Sequence, residues 1–172
     1  MRIFIAINFN DKIKARINQI QQLILTNAKK SRLTTLDNLH ITVVFIGQVE
    51  ENRTIDIIKC IDSIAQSEFT LRTTRLNYFK GDSGNLYYLG IEDNNTLNEI
   101  HEGISRHLQS NGYYIERRKF KPHITLSRRT IIDNNISYNI PMDILVSSID
   151  LMQSKVIDGN LTYKCLYSKS LQ

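Results

Sequence analysis

Cysteine is scarce: Cys60 and Cys165 are the only two in 172 residues. They are too isolated to staple a fold of this size, and neither has the short paired Cys/His spacing that marks zinc. Both thiols are expected to be reduced and buried. Long apolar runs are also missing, since nothing approaches the roughly 20 residues a membrane helix needs. The opening MRIFIAINFN passes into a polar, amphipathic stretch without a cleavage site. Gly/Ser-rich linkers and low-complexity tracts are absent, which argues against independent domains. The expectation is a single bilobal domain over residues 1–172, cytoplasmic, monomeric and without a membrane partner.

What is present suffices for a packed core. The chain is 41% hydrophobic, and 22 Lys and Arg against 17 acids give a net charge of +5. That surplus mildly favours a polyanion such as RNA, through phosphate contacts and counterion release.

Residues 2–9 alternate as a strand, with Ile3, Ile5 and Ile7 on one face and Phe4 and Ala6 on the other. From Asn10 or Asp11, Ile13, Ile17, Ile20 and Ile24 recur at helical intervals to about Asn27. Residues 29–38 read as a loop, 38–46 as a strand stopped by Gly47, and 51–66 as a second helix. Strands follow at 69–79 and 86–91 around the turn from Lys80 to Gly84, then a third helix at 95–110 ending at Asn111-Gly112. A strand at 119–128 and a hairpin of 143–153 with 161–169 complete the chain. Without strict β-α-β alternation, the pattern favours an α+β fold of antiparallel sheets with helices on their outer faces.

Histidine is as rare as it is patterned. Of four histidines, two open a shared tetrapeptide, His40-Ile41-Thr42-Val43 and His123-Ile124-Thr125-Leu126. They stand 123 − 40 = 83 residues apart, close to half of 172, so each half of the chain carries one copy. On a strand, His and Thr two residues apart share a face while the aliphatic neighbours anchor the other. If the halves pair about a pseudo-twofold axis, both polar faces line one central cleft. Two imidazoles there can divide acid and base work near neutral pH, and the hydroxyls can donate to non-bridging phosphate oxygens. Phosphodiester hydrolysis fits such an arrangement.

These paired motifs, with the flanks NLHITVVFIG and FKPHITLSR, resemble the signature of the 2H phosphoesterase superfamily. RIFIAINF, GNLYYLGIE and IDLMQSKVIDGNLTYKCL extend the similarity over nearly the whole chain. Within it the chain is similar to the LigT-type RNA 2′,3′-cyclic phosphodiesterases, also called 2′-5′ RNA ligases. The resemblance implies two pseudo-symmetric lobes around a cleft and hydrolysis of an RNA or nucleotide 2′,3′-cyclic phosphate to a 2′-phosphomonoester, without metal or other cofactor. It implies His40 as general acid, His123 as general base, and Thr42 and Thr125 as phosphate-holding hydroxyls. Which histidine plays which part rests on the resemblance alone.

The residue five places after each motif histidine faces substrate in many relatives, which points to Phe45 and Arg128. Strict alternation disagrees and favours Ser127 and Arg129, so Arg128 requires a bulge or a strand end, and Arg129 is the alternate. Phe45 reads first as a core residue. Relatives commonly carry Trp before the first motif and this chain has none, so base stacking falls to Tyr or Phe, with Tyr87, Tyr88, Tyr113 and Tyr114 as candidates. His101 and His107 lack the Thr partner and read as surface or boundary residues of the third helix. The run Arg117, Arg118, Lys119 and Lys121 before the second motif is either solvated or in contact with RNA phosphates. Related substrates also stay open: 2′-5′-linked oligonucleotides, ADP-ribose cyclic phosphate, or weak ligation. A non-catalytic nucleotide-binding module is the rival from another class.

Overall fold

In the computed structural model, which describes all 172 residues, the elements follow the expected order with informative differences. Strand β1 (Arg2–Asn8) buries Ile3, Ile5 and Ile7 in the main core, while Phe4 and Ala6 face the other way and pack on Met152. Asn10 caps helix α1 (Asp11–Asn27), its side chain accepting the Ile13 N–H at 2.9 Å, and Ile17, Ile20 and Ile24 face inward together with one polar residue, Gln21. The stretch 29–38, expected to be loop, contains strand β2 (Lys30–Leu33), paired with a later strand, and then a 3₁₀ turn (Leu36–Asn38). Its polar composition hides an edge strand half exposed to water, where no alternation of apolar residues is required.

Strand β3 (His40–Gln48) carries the first motif. The helix expected over 51–66 is shorter: a 3₁₀ turn (Glu51–Arg53) leads into α2 (Thr54–Asp62). Strands β4 (Phe69–Phe79) and β5 (Asn85–Ile91) and helix α3 (Asn95–Ser110) lie where the pattern put them, α3 capped by Asn94. Strand β6 (His123–Ile131) begins at the second motif rather than at 119. Pro122 has no N–H to give to a ladder, so pairing starts one residue later. The strand expected over 143–153 is two strands, β8 (Asp143–Val146) and β9 (Ser148–Ile157), after a short β7 (Tyr138–Asn139). The chain breaks there because β8 pairs with β4 whereas β9 pairs with β1 on the far side of the molecule. Strand β10 (Asn160–Ser170) closes the expected hairpin.

The sheet runs β10-β9-β1-β3-β6-β5-β4-β7, with β2 added on β6 and β8 on β4, and its pairings are antiparallel. Its middle is narrow, because β3 and β6 meet at one register pair, Ile41 opposite Ile124. On either side of that joint stands a lobe, β10-β9-β1-β3 and β6-β5-β4-β7. The lobes exchange helices: α1 follows β1 yet packs on β2 and β6, whereas α3 follows β5 yet packs on β3, beside α2. This is an α+β fold of two pseudo-symmetric lobes with helices over the outer faces. One apolar core continues through both lobes, with Ile41 and Ile124 fully buried at the joint.

Gly84 shows how closely the lobe around β6 is built. It sits at φ +121°, and a Cβ there would meet the backbone of Arg129 at 2.5 Å and of Thr130 at 2.8 Å. Backbone atoms cannot give way as a flexible side chain can. Gly84→Ala is expected to cost on the order of 2 kcal/mol in urea unfolding, from strain plus displacement of β6. Unchanged stability would mean that the turn relaxes freely.

Candidate active site

The single contact between β3 and β6 fixes the geometry of the two motifs. With Ile41 opposite Ile124 in an antiparallel register, His40 lies across from Thr125 and Thr42 across from His123. All four side chains line one cleft of about 990 Å³. Ile41 and Ile124 point the other way into the core at 0% exposure, the alternation that a strand imposes.

Alternation alone misplaces the fifth residue, and bulges account for the difference. Strand β1 pairs Ile5 with Val44 and Ala6 with Thr42, leaving Val43 as an extra residue in β3. Strand β5 pairs Tyr87 with Ser127 and Tyr88 with Thr125, leaving Leu126 as the extra residue in β6. Each bulge falls three residues after its histidine, and each turns two successive side chains inward, Val43 with Val44 and Leu126 with Ser127. The next residues, Phe45 and Arg128, therefore return to the cleft side, and both line it. Phe45, expected in the core, is 47% exposed, with the Arg2 guanidinium 4.9 Å from its ring centroid. Arg129 sits in left-handed backbone (φ 50°) and does not line the cleft.

Both imidazoles are held in the same way. His40 Nδ1 lies 2.7 Å from the Asn38 carbonyl, and His123 Nδ1 lies 2.8 Å from the Lys121 carbonyl, in each case two residues upstream. A carbonyl only accepts, so Nδ1 carries the proton in both rings and Nε2 is the working atom when the ring is neutral. His40 Nε2 is 2.9 Å from Thr42 Oγ1, whose hydroxyl donates to the neutral ring and accepts from the protonated one. His123 Nε2 has no protein partner. Aromatic rings box each imidazole. Phe4 and Tyr163 flank His40 at centroid distances of 5.0 and 5.2 Å, and Phe79 and Tyr88 flank His123 at 5.6 and 5.4 Å.

This packing has an electrostatic consequence. Burial pushes the pKa of both histidines below 6.5, the carbonyl bonds pull partly back, and neighbouring positive charge, including Arg128 in each case, lowers them further. Around the rings the cleft presents Arg2, Arg32, Arg128 and Lys155 and no carboxylate. A modest whole-chain charge of +5 is thus concentrated where an anion would sit.

Other candidates fall elsewhere. Tyr87 is fully buried, its hydroxyl donating to Asn135 Oδ1 at 2.9 Å, and Tyr113 is buried with its hydroxyl donating to the Arg53 carbonyl. Tyr88 packs against His123 from behind, and Tyr114 is 83% exposed away from the cleft. The aromatic residues that line the cleft are Phe4, Phe45 and Tyr163. Neither Phe4 nor Tyr163 is among the expected stacking residues; the available signal for Phe4 is its place opposite the Ile face of β1, and Tyr163 carries none beyond its place in the hairpin. Of the basic run, Arg118 pairs with Glu116 at 2.6 Å, and Lys121 lies 4.8 Å from the Phe79 ring centroid. None of its members lines the cleft. Cys60 is buried as expected, but Cys165 is exposed, on the outer strand β10. His101 is half-buried on α3, and His107 is exposed. No three of His, Cys, Asp and Glu converge as metal ligands would, and no helix is long and apolar enough to cross a membrane.

Fold and site together define a two-lobed protein with paired histidine motifs at one positively charged cleft. Residues 3–153 match the family model described as the AKAP7 2′5′ RNA ligase-like domain, and the chain belongs to that family, within the LigT-type 2H phosphoesterases. It is 33% identical over 138 residues to the RNA 2′,3′-cyclic phosphodiesterase of Methanocaldococcus jannaschii, covering 78% of this chain and 75% of that one. It is 26% identical over 176 residues to the Thermotoga maritima protein of the same name, covering 97% and 94%. Among solved structures, a Thermus thermophilus protein superposes with a TM-score of 0.88 at 20% identity, over 99% and 98% of the two chains. LigT from E. coli superposes at 0.82 and 24% identity, over 99% and 96%.

Proposed function

We propose that the chain is an RNA 2′,3′-cyclic phosphodiesterase, opening the cyclic phosphate at an RNA or nucleotide terminus to leave a 2′-phosphomonoester. The reading rests on two imidazoles, each with its proton tied down at Nδ1, opening Nε2 onto one cleft lined by four cations and no carboxylate. Curated relatives carry that activity in their names, and E. coli LigT has been crystallised with 3′-AMP.

Water oxygen attacks phosphorus, its proton passing to His123 Nε2, as the P–O3′ bond breaks and O3′ takes the proton from His40 Nε2. Thr42 and Thr125 donate to the non-bridging oxygens, and Arg128 offsets their charge through the transition state. His40 must be protonated, and its lowered pKa works against this in the empty cleft. The bound phosphate anion supplies the opposite field. Phe45 and Tyr163 offer stacking surfaces for the terminal base. No step passes through a metal. The chain is taken as one bilobal domain working as a monomer. The exposed unpaired thiol of Cys165 fits a reducing cytoplasm.

Incubation with a short RNA ending in a 2′,3′-cyclic phosphate, followed by ³¹P NMR, is expected to show a 2′-phosphate and the same rate with EDTA present. A 3′-phosphate, or no turnover, overturns the reading.

The pH dependence follows from the two lowered pKa values. In the free enzyme, rising pH strips the acid histidine and falling pH protonates the base, both transitions lying below 6.5. The profile of kcat/KM is therefore expected to peak on the acid side of 6.5. That of kcat lies at higher pH, because bound phosphate favours protonation of His40. A kcat/KM maximum near pH 8 would contradict this pairing.

A further inference from the structure

Each bulge puts a backbone carbonyl out of step with its β ladder, and each of those carbonyls is met by a side chain from a helix. The Val43 carbonyl accepts from His101 Nδ1 of α3 at 2.7 Å. The Leu126 carbonyl accepts from Gln21 Nε2 of α1 at 3.0 Å, and from the Thr34 N–H at 2.9 Å. Gln21 is 1% exposed, and burying an amide in an apolar helix face is unfavourable unless its hydrogen bonds are made. It is the one polar residue on that face of α1, and nothing in the proposed chemistry uses it.

The second contact of each side chain reaches toward the opposite motif. Gln21 Nε2 also donates to the Thr34 carbonyl at 2.8 Å. Thr34 opens the segment that leads through Asn38, whose carbonyl orients His40. The His101 ring stacks flat on Phe120, centroids 3.9 Å apart and planes 2° from parallel. Phe120 stands one residue before Lys121, whose carbonyl orients His123. Each helix thus ties the bulge of one motif to the approach of the other.

We propose that Gln21 and His101 are positioning residues, a pair of cross-braces that hold the two bulges and so keep Arg128 and Phe45 turned into the cleft. The proposal rests on the cyclic phosphodiesterase reading only for its kinetic half. Its other half is read without substrate. Arg128 acts electrostatically on both His40 and His123, so a β6 bulge that relaxes takes this charge away and lets both imidazoles titrate higher.

The experiment is an NMR titration of His40 and His123 in Gln21→Met, Arg128→Ala and the double variant. Gln21→Met is expected to raise both transitions, and to raise them no further once Arg128 is gone. Unmoved transitions, or an equal rise in both backgrounds, overturn the brace at Gln21 in favour of general stability. For His101→Leu, KM for the cyclic-phosphate RNA is expected to rise about tenfold with kcat nearly unchanged, as a lost binding surface requires. His101→Gln, which keeps an N–H donor, is expected to restore it. A fall in kcat with unchanged KM, or no rescue, overturns the brace at His101. If a variant does not fold, Gln21→Asn and His101→Asn, which shorten the donor, are read in the same way. Loss of the cyclic phosphodiesterase reading would appear separately, as absence of turnover in the unmodified enzyme.

Discussion

His40→Ala and His123→Ala are each expected to lower turnover of a cyclic-phosphate RNA by at least about 10²-fold, the scale of losing a general acid or base. Each ring is packed between two aromatic neighbours, so its truncation also costs stability, and urea unfolding of each variant shows that the protein assayed is folded. The two losses should differ in kind. An aryl phosphodiester expels a leaving group that needs no proton, so with such a substrate His40→Ala should recover much of its deficit. His123→Ala should not, because water still has to be deprotonated. Recovery by His123→Ala alone would exchange the two roles, and full activity of either variant would remove that histidine from the chemistry.

The sequence announced the motifs because a rare residue recurs in the same tetrapeptide in each half of the chain, and strand periodicity then placed His40 beside Thr42 and His123 beside Thr125. Helices α1 and α3 were legible for a related reason: each carries a sustained apolar stripe and an Asn cap. What escaped were features set by partners distant along the chain. Strand β2 has no apolar face to betray it, and the break at Ser147 marks a change of lobe rather than any local turn chemistry. Phe45 looked like core because alternation was carried through an unseen bulge. A bulge is a register event between strands, and one strand's sequence holds little trace of it. Tyr163 was hidden similarly, since only the folding of β10 onto β9 and β1 brings it beside His40.

The bulge in β6 also sets the sharpest contrast within one dipeptide. Arg128 lines the cleft, whereas Arg129, its neighbour with the same charge, is turned out by left-handed backbone. Arg128→Ala is expected to lower kcat/KM by about 10²-fold, comparable to removing one donor to a developing oxyanion. Arg129→Ala should stay within about twofold, as exposed surface substitutions usually do. Arg128→Lys keeps the charge but loses the planar fork and should fall between. The pH profile supplies a second, independent reading. Because the Arg128 charge lowers both histidine pKa values, Arg128→Ala should move the kcat/KM optimum to higher pH, while Arg128→Lys should leave it nearly in place. If Arg129→Ala shows the larger loss, or if the optimum stays fixed when Arg128 becomes Ala, then the charge facing the two imidazoles does not come from the residue that the bulge turns inward.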